Sequence, residues 1–517
     1  MMNRKPAQVF DKLKDGGCIR RSMEYGRWTI PTITANLDGS NYSGAQQVVR
    51  RDYQEIGALL VNSLASNLVD ILFPVQVPFF RASMSSAMKD ELEQRGEDTA
   101  AVEKSLALAG KLCSERLHGQ RGRASLILAL KHLIVTGNAA LHRDTTDGHT
   151  RVYGLGDYVV ERDYNGKVMQ AVVRETTTWR AVPPDVRKSV QSSDPDRVFN
   201  DDTKVVRYWW LQITYRGKRV GYTVSEWLDG AYLTESWYPA AVCPWVFPTW
   251  NLIPGEHYGH GHVEDYSTGF RTLSELSAGS LEYAVEMMRV LYAVGPGAGT
   301  QVRDLQNAPT GRYVFVDPSQ VSPFETNGGQ KLAQVDAKID SVIQRLTKAF
   351  MYSGPTRDAE RVTAYELQRT AAEAQKLLGS VYNTLADDLQ VPLASFLLVE
   401  LDKDFEVALA GRQMKIQVLS GTVALGQVTD IENLLSAAQQ IAAIIPVAQL
   451  DKRIDPARVV DVVLLANSID SEKIMFTPEQ QRANEEAAQA SQNAQQSLLE
   501  AGNAAQQSET IQQALGG

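Results

Sequence analysis

Three of the chain's seven histidines lie close together in the segment 257–265, which reads HYGHGHVED. His257, His260 and His262, with two acidic residues beside them, offer imidazole and carboxylate groups of the kind that zinc or nickel binds. Their spacing lacks the pair of helical histidines, four residues apart, that a metalloprotease uses. The segment also lies where a turn must lead into a helix. We therefore expect a surface turn without a metal ion.

Motifs for nucleophilic or phosphate chemistry are absent from the sequence. No G-x-S-x-G elbow occurs, and no cysteine lies in an evident nucleophile setting. The glycine-rich run 295–299 follows a helical pattern and is not followed by Lys-Ser/Thr, so it indicates a turn instead of a phosphate loop. Adjacent acids, as at 387–388, are typical of solvated helix faces, with metal-assisted DNA cleavage as the alternative. We expect no enzymatic activity and no cofactor.

Twelve aromatic residues occur between positions 208 and 250, and eight of them form the candidate cluster. They could stack on nucleic-acid bases, but Trp and Tyr in a β-rich lobe are more often part of a core or a subunit interface. The eight are Tyr208, Trp209, Trp210, Trp227, Trp237, Tyr238, Trp245 and Trp250.

Length and charge limit the class of protein. A chain of 517 residues is too long to fold around one ordinary hydrophobic core, so two or more subdomains are expected. A net charge of −9 argues against a protein that grips phosphates, but not against one past which nucleic acid slides. Three widely spaced cysteines fit a reducing compartment, and no apolar run approaches the roughly 18 residues that span a bilayer. The N-terminus lacks the apolar core of a signal peptide. We expect an intracellular or particle-assembled protein without a membrane partner.

The first 150 residues predict an α-rich lobe. Apolar residues recur every third or fourth position over 51–74, where Pro74 ends the pattern. Further helices are predicted over 86–117 and 123–136, and Gly137 is a reasonable C-terminal signal for the second of them.

Residues 151–250 predict an antiparallel β lobe. Asn165-Gly166 lies between two apolar runs, which is a strong signal for a hairpin, and three more strand-like runs follow. The polar segment 183–203 is expected to form a surface loop.

Helical patterns return over 264–292 and 331–350, on either side of a glycine-rich break and a short β-like stretch. This order predicts a long helical hairpin with a small tip. Helix formers also dominate 362–401, where Val391-Pro392 indicates a kink. A short strand near 415 and two helices follow. From 477 the chain is rich in Ala, Gln and Glu, which predicts a solvated or partly disordered helical tail, or a helix that orders when copies pack.

The segment 331–350 (KLAQVDAKIDSVIQRLTKAF) sorts into four faces at roughly 100° per residue. One face is an apolar stripe of Leu332, Val335, Ile339, Val342, Ile343, Leu346 and Phe350. One edge is basic (Lys331, Lys338, Arg345), and the other is acidic (Asp336, Asp340). The fourth face is mostly neutral and short: Gln334, Ala337, Ser341, Gln344 and Lys348. Opposite charges on two edges allow pairing with an identical copy, as in a subunit of a ring.

Several blocks of the sequence, taken in order, resemble one family. They are 63–68 (SLASNL), 72–76 (LFPVQ), 130–138 (LKHLIVTGN), 158–163 (YVVERD), 258–259 (YG) leading to 264–266 (EDY), 361–364 (RVTA) with Glu366, 379–382 (GSVY) and 389–393 (LQVPL). As a collinear set they are similar to portal proteins, the head-to-tail connectors of short-tailed, podovirus-type phages. The blocks cover most of residues 50–400.

The resemblance implies a ring of about twelve subunits at one capsid vertex. Such rings nucleate head assembly with the major capsid and scaffolding proteins in the host bacterial cytoplasm. They pass double-stranded DNA during packaging and ejection, dock the terminase large subunit, and later bind tail adaptor proteins. Internal core proteins are a further implied partner, and the implied location is the portal vertex of the virion.

The same resemblance implies an α+β, mainly helical, portal-type fold. The wing would be 1–263, with an α-rich part (1–150) and a β-rich part (151–250). The first stem helix would be 264–293, the clip 294–330, and the second stem helix 331–350. A channel loop (351–361), a long kinked wing helix (362–401), a crown (402–476) and the tail (477–517) would follow.

Site residues follow from this placement. A channel that moves DNA should not hold its phosphates tightly, so we expect the neutral face of 331–350 (Gln334, Ser341, Gln344, Lys348) to line the channel. The charged edges (Lys331, Lys338, Arg345; Asp336, Asp340) are expected at the subunit interface. The DNA-facing loop would contain Ser353, Gly354, Pro355, Thr356, Arg357, Asp358, Glu360 and Arg361. The alternatives are a metal-dependent DNA-processing enzyme and another structural adaptor of the virion.

Overall fold

The computed structural model describes residues 5–35, 37, 52–75, 78–96, 99–119, 121–144, 148–193, 198–217, 219–287, 291–294, 321–324, 329–352, 376, 378–410 and 414–418. Helices and antiparallel sheets both contribute, which confirms a mixed α and β class. The glycine-rich run 295–299, the predicted channel loop from Ser353 onward and the chain after 418 lie outside the described residues. Within the described part of the chain, no helix is both long and apolar enough to cross a bilayer.

The N-terminal lobe is built around one apolar helix. Its elements are α1 (Pro6–Leu13), α2 (Gly16–Trp28), α3 (Pro31–Thr34), α4 (Ile56–Leu72), β1 (Phe80–Met84), α5 (Ser86–Arg95), α6 (Thr99–Gly119) and α7 (Gly122–Thr136). Leu60, Leu64, Leu68 and Leu72 are fully buried, because residues four apart lie on one face of α4. The helix predicted within 51–74 is therefore confirmed.

The prediction of one helix over 86–117 is wrong. Gly96 has φ of +72°, a left-handed conformation that ends α5, and α6 begins three residues later. The apolar period alone did not reveal this break.

The C-terminal end of α7 lies against the histidine-containing segment. Gly137 has φ of +76°, and its N–H donates to Leu133 O at 2.9 Å, as predicted for the end of this helix. A Cβ atom at Gly137 would lie 2.5 Å from the carbonyl oxygen of Gly259. Glycine is thus required both by the backbone angle and by the close approach of the two segments.

His132 of α7 should make the fold sensitive to acid. Its ring is buried, and burial lowers its pKa from 6.5 to about 4. Between pH 4 and pH 6.5 the His132 ring is therefore protonated in the unfolded chain but not in the folded chain. Stability from this group is complete above pH 6.5 and falls by about 3 kcal/mol as the pH drops to 4.

The check is to compare urea unfolding of the wild type with that of His132→Leu across this pH range. The variant is expected to lose less unfolding free energy on acidification than the wild type. Equal losses in the two proteins would contradict the assignment to His132.

The β lobe contains a five-stranded antiparallel sheet in the order β4-β5-β6-β7-β8 and a smaller sheet in the order β3-β2-β9. The strands are β2 (Ala140–Arg143), β3 (Thr150–Tyr153), β4 (Tyr158–Arg162), β5 (Val168–Thr178), β6 (Lys204–Arg216), β7 (Arg219–Leu228), β8 (Ala231–Pro239) and β9 (Trp245–Val246). The turn between β4 and β5 contains Gly166 with φ of +83°, and Asp163 Oδ1 accepts hydrogen bonds from the amides of Asn165 and Lys167. The predicted hairpin is confirmed.

Part of the polar segment 183–203 is a helix, so the prediction of a surface loop is wrong there. Helix α8 (Pro184–Ser193) buries Val190 against Trp179, Val205 and Leu228. Val186 of the same helix packs against this cluster as well, and the neighbouring sheet supplies the rest of the apolar surface.

The aromatic residues of the β lobe contribute to the core. Trp209, Trp245 and Trp250 are buried, and the rings of Trp209 and Trp245 lie 5.5 Å apart. For these three residues the core interpretation is confirmed.

The hairpin region contains α9 (His262–Asp265), α10 (Ser267–Met287), β10 (Leu291–Val294), β11 (Val321–Phe324) and α11 (Gly329–Ala349). Strands β10 and β11 pair in antiparallel register, with Leu291 opposite Phe324. The first predicted stem helix therefore ends earlier than expected, because residues 291–294 pair as a strand.

The last described elements return to the N-terminal lobe. They are α12 (Ser380–Leu385), a π turn (Ala386–Gln390), α13 (Val391–Leu401), α14 (Asp404–Ala410) and β12 (Met414–Val418). The helix predicted over 362–401 is interrupted at Gly379, where φ is +53°. The π turn directly precedes Val391-Pro392, where a kink was predicted. Strand β12, within the predicted crown, pairs antiparallel with β1.

Candidate functional site

Helix α11 has the faces that its sequence predicts. Val342, Leu346 and Phe350 are buried in the main core, and the other members of the apolar stripe are half-buried. The predicted channel-lining residues are all exposed: Gln334, Ser341, Gln344 and Lys348. The charged residues of the two edges are exposed as well: Asp336, Lys338, Asp340 and Arg345. Lys331 lies in the first turn of α11, and its side chain is outside the described part of the chain.

Helices α10 and α11 form an antiparallel hairpin. Near the body of the protein, a Cβ atom at Gly269 would lie 3.1 Å from Leu346. Further out, Ser280 Oγ donates a hydrogen bond to Asp336 Oδ1 at 3.4 Å. Later residues of α10 therefore contact earlier residues of α11, and Asp336 lies at the junction of the two helices.

The inner end of the hairpin is held by His262. Its Nε2–H donates to the carbonyl oxygen of Ala349 at 3.0 Å, which satisfies one of the free carbonyls at the end of α11. The ring packs against Phe350, Tyr266 and Trp250, with centroids 4.7, 5.0 and 5.4 Å away. Burial lowers the pKa of His262, which favours the neutral ring in this contact.

His260 has the opposite electrostatic setting, two residues earlier. Its Nε2 lies 2.7 Å from Glu256 Oε2, and its Nδ1 lies 3.0 Å from Glu264 Oε1. Partial burial lowers its pKa, but hydrogen bonds and charge attraction from these two carboxylates outweigh burial and raise it overall. The stability that this group contributes is present at acidic pH and is lost as the pH rises through its raised pKa.

The prediction of a surface turn for this segment is therefore wrong for His262, which is buried. His257 also has a structural contact, since its Nδ1 accepts the backbone N–H of Arg162 at 3.1 Å. Asn138 fixes the segment to α7 through two hydrogen bonds with Gly259, of 2.7 and 2.8 Å. Among the described residues, no group of three or more His, Cys, Asp or Glu side chains could hold a metal ion.

The sequence did not reveal the contacts of His257, His262 and Asn138, since each of them joins residues far apart in the chain. His262 and Ala349 are 87 positions apart, and Asn138 and Gly259 are 121 apart. A buried histidine and an exposed one have no local pattern that separates them.

The chain leaves α11 in a constrained conformation. Met351 has φ of +53°, and the N–H of Tyr352 donates to Thr347 O at 3.0 Å. Asn67 Nδ2 lies 3.5 Å from Met351 O, which links this exit to α4. The backbone direction at the start of the predicted channel loop is thus set by α11, α4 and His262 together.

Replacing His262 should destabilise the inner end of the α10–α11 hairpin, mainly because the hydrogen bond from His262 to the Ala349 carbonyl is lost. His262→Phe keeps an aromatic ring among its neighbours but leaves the Ala349 carbonyl without its donor. We expect the unfolding free energy to fall by about 1–3 kcal/mol. His262→Gln, whose amide can still donate, is the matched control and should lose less. Denaturant unfolding measures both, and a Phe variant as stable as the wild type would contradict the proposed role of the bond.

Comparison with known proteins gives consistent similarities. A family described as "Bacteriophage head to tail connecting protein" matches residues 5–475. The portal protein of Pseudomonas phage phiKMV is 36% identical over 508 residues, covering 96% of this chain and 98% of the relative. The portal protein of Escherichia phage T7 is 28% identical over 482 residues, covering 92% and 88%. Among solved structures, a chain from the virion of a native gene transfer agent particle is 12% identical with a TM-score of 0.35, covering 75% of this chain and 86% of that chain.

Proposed function

The chain belongs to the family of bacteriophage head-to-tail connecting proteins, and on that basis we propose that its copies form a ring of about twelve subunits at one capsid vertex. The ring is the channel through which double-stranded DNA is packaged and ejected. It docks the terminase large subunit during packaging and tail adaptor proteins afterwards. Assembly with the major capsid and scaffolding proteins takes place in the host bacterial cytoplasm.

The observation that carries this proposal is the division of α11 into a buried stripe, two exposed edges of opposite charge and an exposed neutral face. A closed ring repeats one heterologous contact, which requires two complementary patches on each subunit. The edge with Lys338 and Arg345 and the edge with Asp336 and Asp340 are such a pair. Lys331 extends the basic edge in sequence.

The neutral face fits a surface past which DNA moves. Gln334, Ser341 and Gln344 are exposed and uncharged, and Lys348 is the one cation among the four proposed channel-lining residues. Each phosphate held by a cation is a barrier to sliding, so few cations favour movement. We assign the DNA-facing loop to residues 353–361, directly after the constrained exit from α11.

The finer division of the fold follows the same proposal. Residues 1–263 form the wing, α10 and α11 form the stem, and the chain between them forms the clip. The chain from 362 to 401 returns to the wing, and the crown and tail follow.

The experiment that tests the proposal is electron microscopy and native mass spectrometry of the purified full chain. A ring with a central hole, and a mass that is an integer multiple of the subunit, is the expected result. A compact monomer at micromolar concentration would overturn it. Incubation with linear DNA and magnesium is the second arm, in which intact DNA is expected and cleavage would favour the enzyme alternative.

A further inference from the structure

Helix α10 exposes two large apolar side chains on its outer half. Leu281 and Val285 are 54% and 41% exposed, and they lie one turn apart on the same face. Closer to the body, Phe270 and Leu273 of the same helix are fully buried. The apolar character of α10 therefore continues beyond the part that this chain covers itself.

The exposed pair lies on the flank of the hairpin that carries the acidic edge of α11. Ser280 faces α11, since its hydroxyl contacts Asp336. Leu281 is the next residue and points about 100° away from Ser280 around the helix. With the antiparallel orientation of the two helices, this rotation brings Leu281 and Val285 to the same side as Asp336 and Asp340. One flank thus combines an apolar ridge with two carboxylates.

The opposite flank of α10 contains an unexplained glycine. Gly279 lies in the interior of α10 and is exposed, and a Cβ atom there would have no atom within 4 Å. Glycine inside a helix is less favourable than alanine, and no contact within the described chain requires it. Leu276 and Tyr283, both half-buried, lie on either side of this notch. The basic edge of α11, with Lys338 and Arg345, is on the same flank.

The two flanks match in shape, in charge and in height. A rotation about a ring axis moves no atom along that axis, so residues at equal heights on the two flanks meet. If the helical hairpin runs parallel to the ring axis, each residue of α10 adds about 1.5 Å of height. Leu281 then differs in height by about 3 Å from Gly279 and by about 3 Å from Tyr283. On α11, Lys338 lies midway in height between Asp336 and Asp340. The same rotation therefore aligns the apolar ridge with the notch and the acidic edge with the basic one.

We propose that Leu281 of one subunit packs into the notch at Gly279 on α10 of the next copy, and that Val285 packs against Tyr283 beside this notch. The exposed ridge of Leu281 and Val285 is thus covered by a second copy of this chain. The inference rests on the proposed ring and names an apolar contact within it. Glycine is used at this position because any side chain would fill the notch that the neighbour occupies.

Disulfide trapping tests this contact directly. In the full-length variant Gly279→Cys/Leu281→Cys, each interface of the ring contains one cysteine pair. Two residues apart on a helix, the cysteines point in different directions and cannot join within one chain. The natural cysteines Cys18, Cys113 and Cys243 are all buried, so they give little background. Mild oxidation should produce a ladder of covalent oligomers in denaturing gels, and Leu281→Cys alone should give none.

A notch-filling variant gives a second, independent readout. Gly279→Leu replaces glycine by a better helix former, so α10 in the isolated chain is not weakened. We expect a folded chain whose ring fraction, measured by native mass spectrometry, falls at least tenfold, with Gly279→Ala intermediate. The inference would be overturned if the wild type forms rings, the double-cysteine variant gives no disulfide ladder and Gly279→Leu still forms normal rings. In that case the proposed ring would stand and only the contact at Gly279 would be wrong. If the wild type forms no ring at all, the proposed function itself fails.

Discussion

Reversing both charges of the acidic edge, in the variant Asp336→Lys/Asp340→Lys, is expected to abolish ring assembly and leave a folded monomer. Both side chains are exposed in the single chain, so the substitutions remove no buried contact. In the ring they would place lysines opposite Lys338 and Arg345 at every interface. An exposed attraction contributes up to about 1 kcal/mol, and a juxtaposed repulsion has a similar or larger cost. We expect the binding free energy of each subunit interface to weaken by about 3–4 kcal/mol, which corresponds to a few-hundredfold weaker affinity between subunits.

Compensating changes on the other edge make this test specific. Adding Lys338→Asp and Arg345→Asp to the reversed chain restores attraction and should restore rings. Asp201→Lys/Asp202→Lys is the matched control, because it reverses two exposed adjacent acids of the β lobe. Size-exclusion chromatography at low and high salt measures all three, since salt screens such pairs. Normal rings of the reversed double variant at low salt would contradict pairing of the two edges.

Removing the carboxylate of Glu400 is expected to cause the largest loss of stability from a single substitution. The side chain of Glu400 in α13 is 6% exposed; it accepts a hydrogen bond from Arg143 Nε at 2.6 Å and forms an ion pair with Arg116, whose Nε lies 2.9 Å away. It thus joins α13 to β2 and α6. The side chain of Arg143 is only 2% exposed, so Glu400→Ala would leave a buried cation without its carboxylate. We expect the unfolding free energy to fall by about 3–5 kcal/mol.

The matched control is another carboxylate paired with arginine, but in solvent. Glu275 accepts from Arg271 Nε at 3.0 Å on α10, and both side chains are more than half exposed. Glu275→Ala should change stability by less than about 1 kcal/mol. Urea unfolding at one fixed protein concentration measures both variants, because ring formation makes stability depend on concentration. Equal effects of the two substitutions would contradict the assigned role of the buried pair.

Several elements could be predicted because their signals are local. The four-residue spacing of leucines in α4, the glycine after α7 and Asn165-Gly166 between β4 and β5 each involve neighbours in sequence. The break at Gly96 and the docking of α8 could not be predicted in this way. A glycine at position 96 could also lie inside a continuous helix of lower stability, so its presence does not show that the helix ends there. Helix α8 forms because Val190 packs against a sheet built from residues distant in sequence.

The sequence alone determined the four faces of α11, since a helical period of 3.6 residues sorts side chains without any knowledge of their partners. It also carried the resemblance to head-to-tail connectors, which rests on short blocks in a common order. The tertiary structure alone decided what His257, His260 and His262 do. One accepts a backbone N–H, one lies between two carboxylates, and one holds the end of α11 through Ala349. The reason is physical: His257 and His262 bond residues 95 and 87 positions away, and no local period encodes such contacts. The two carboxylates beside His260 are only four positions away on either side, but they approach its ring only in the conformation that this segment adopts in the fold.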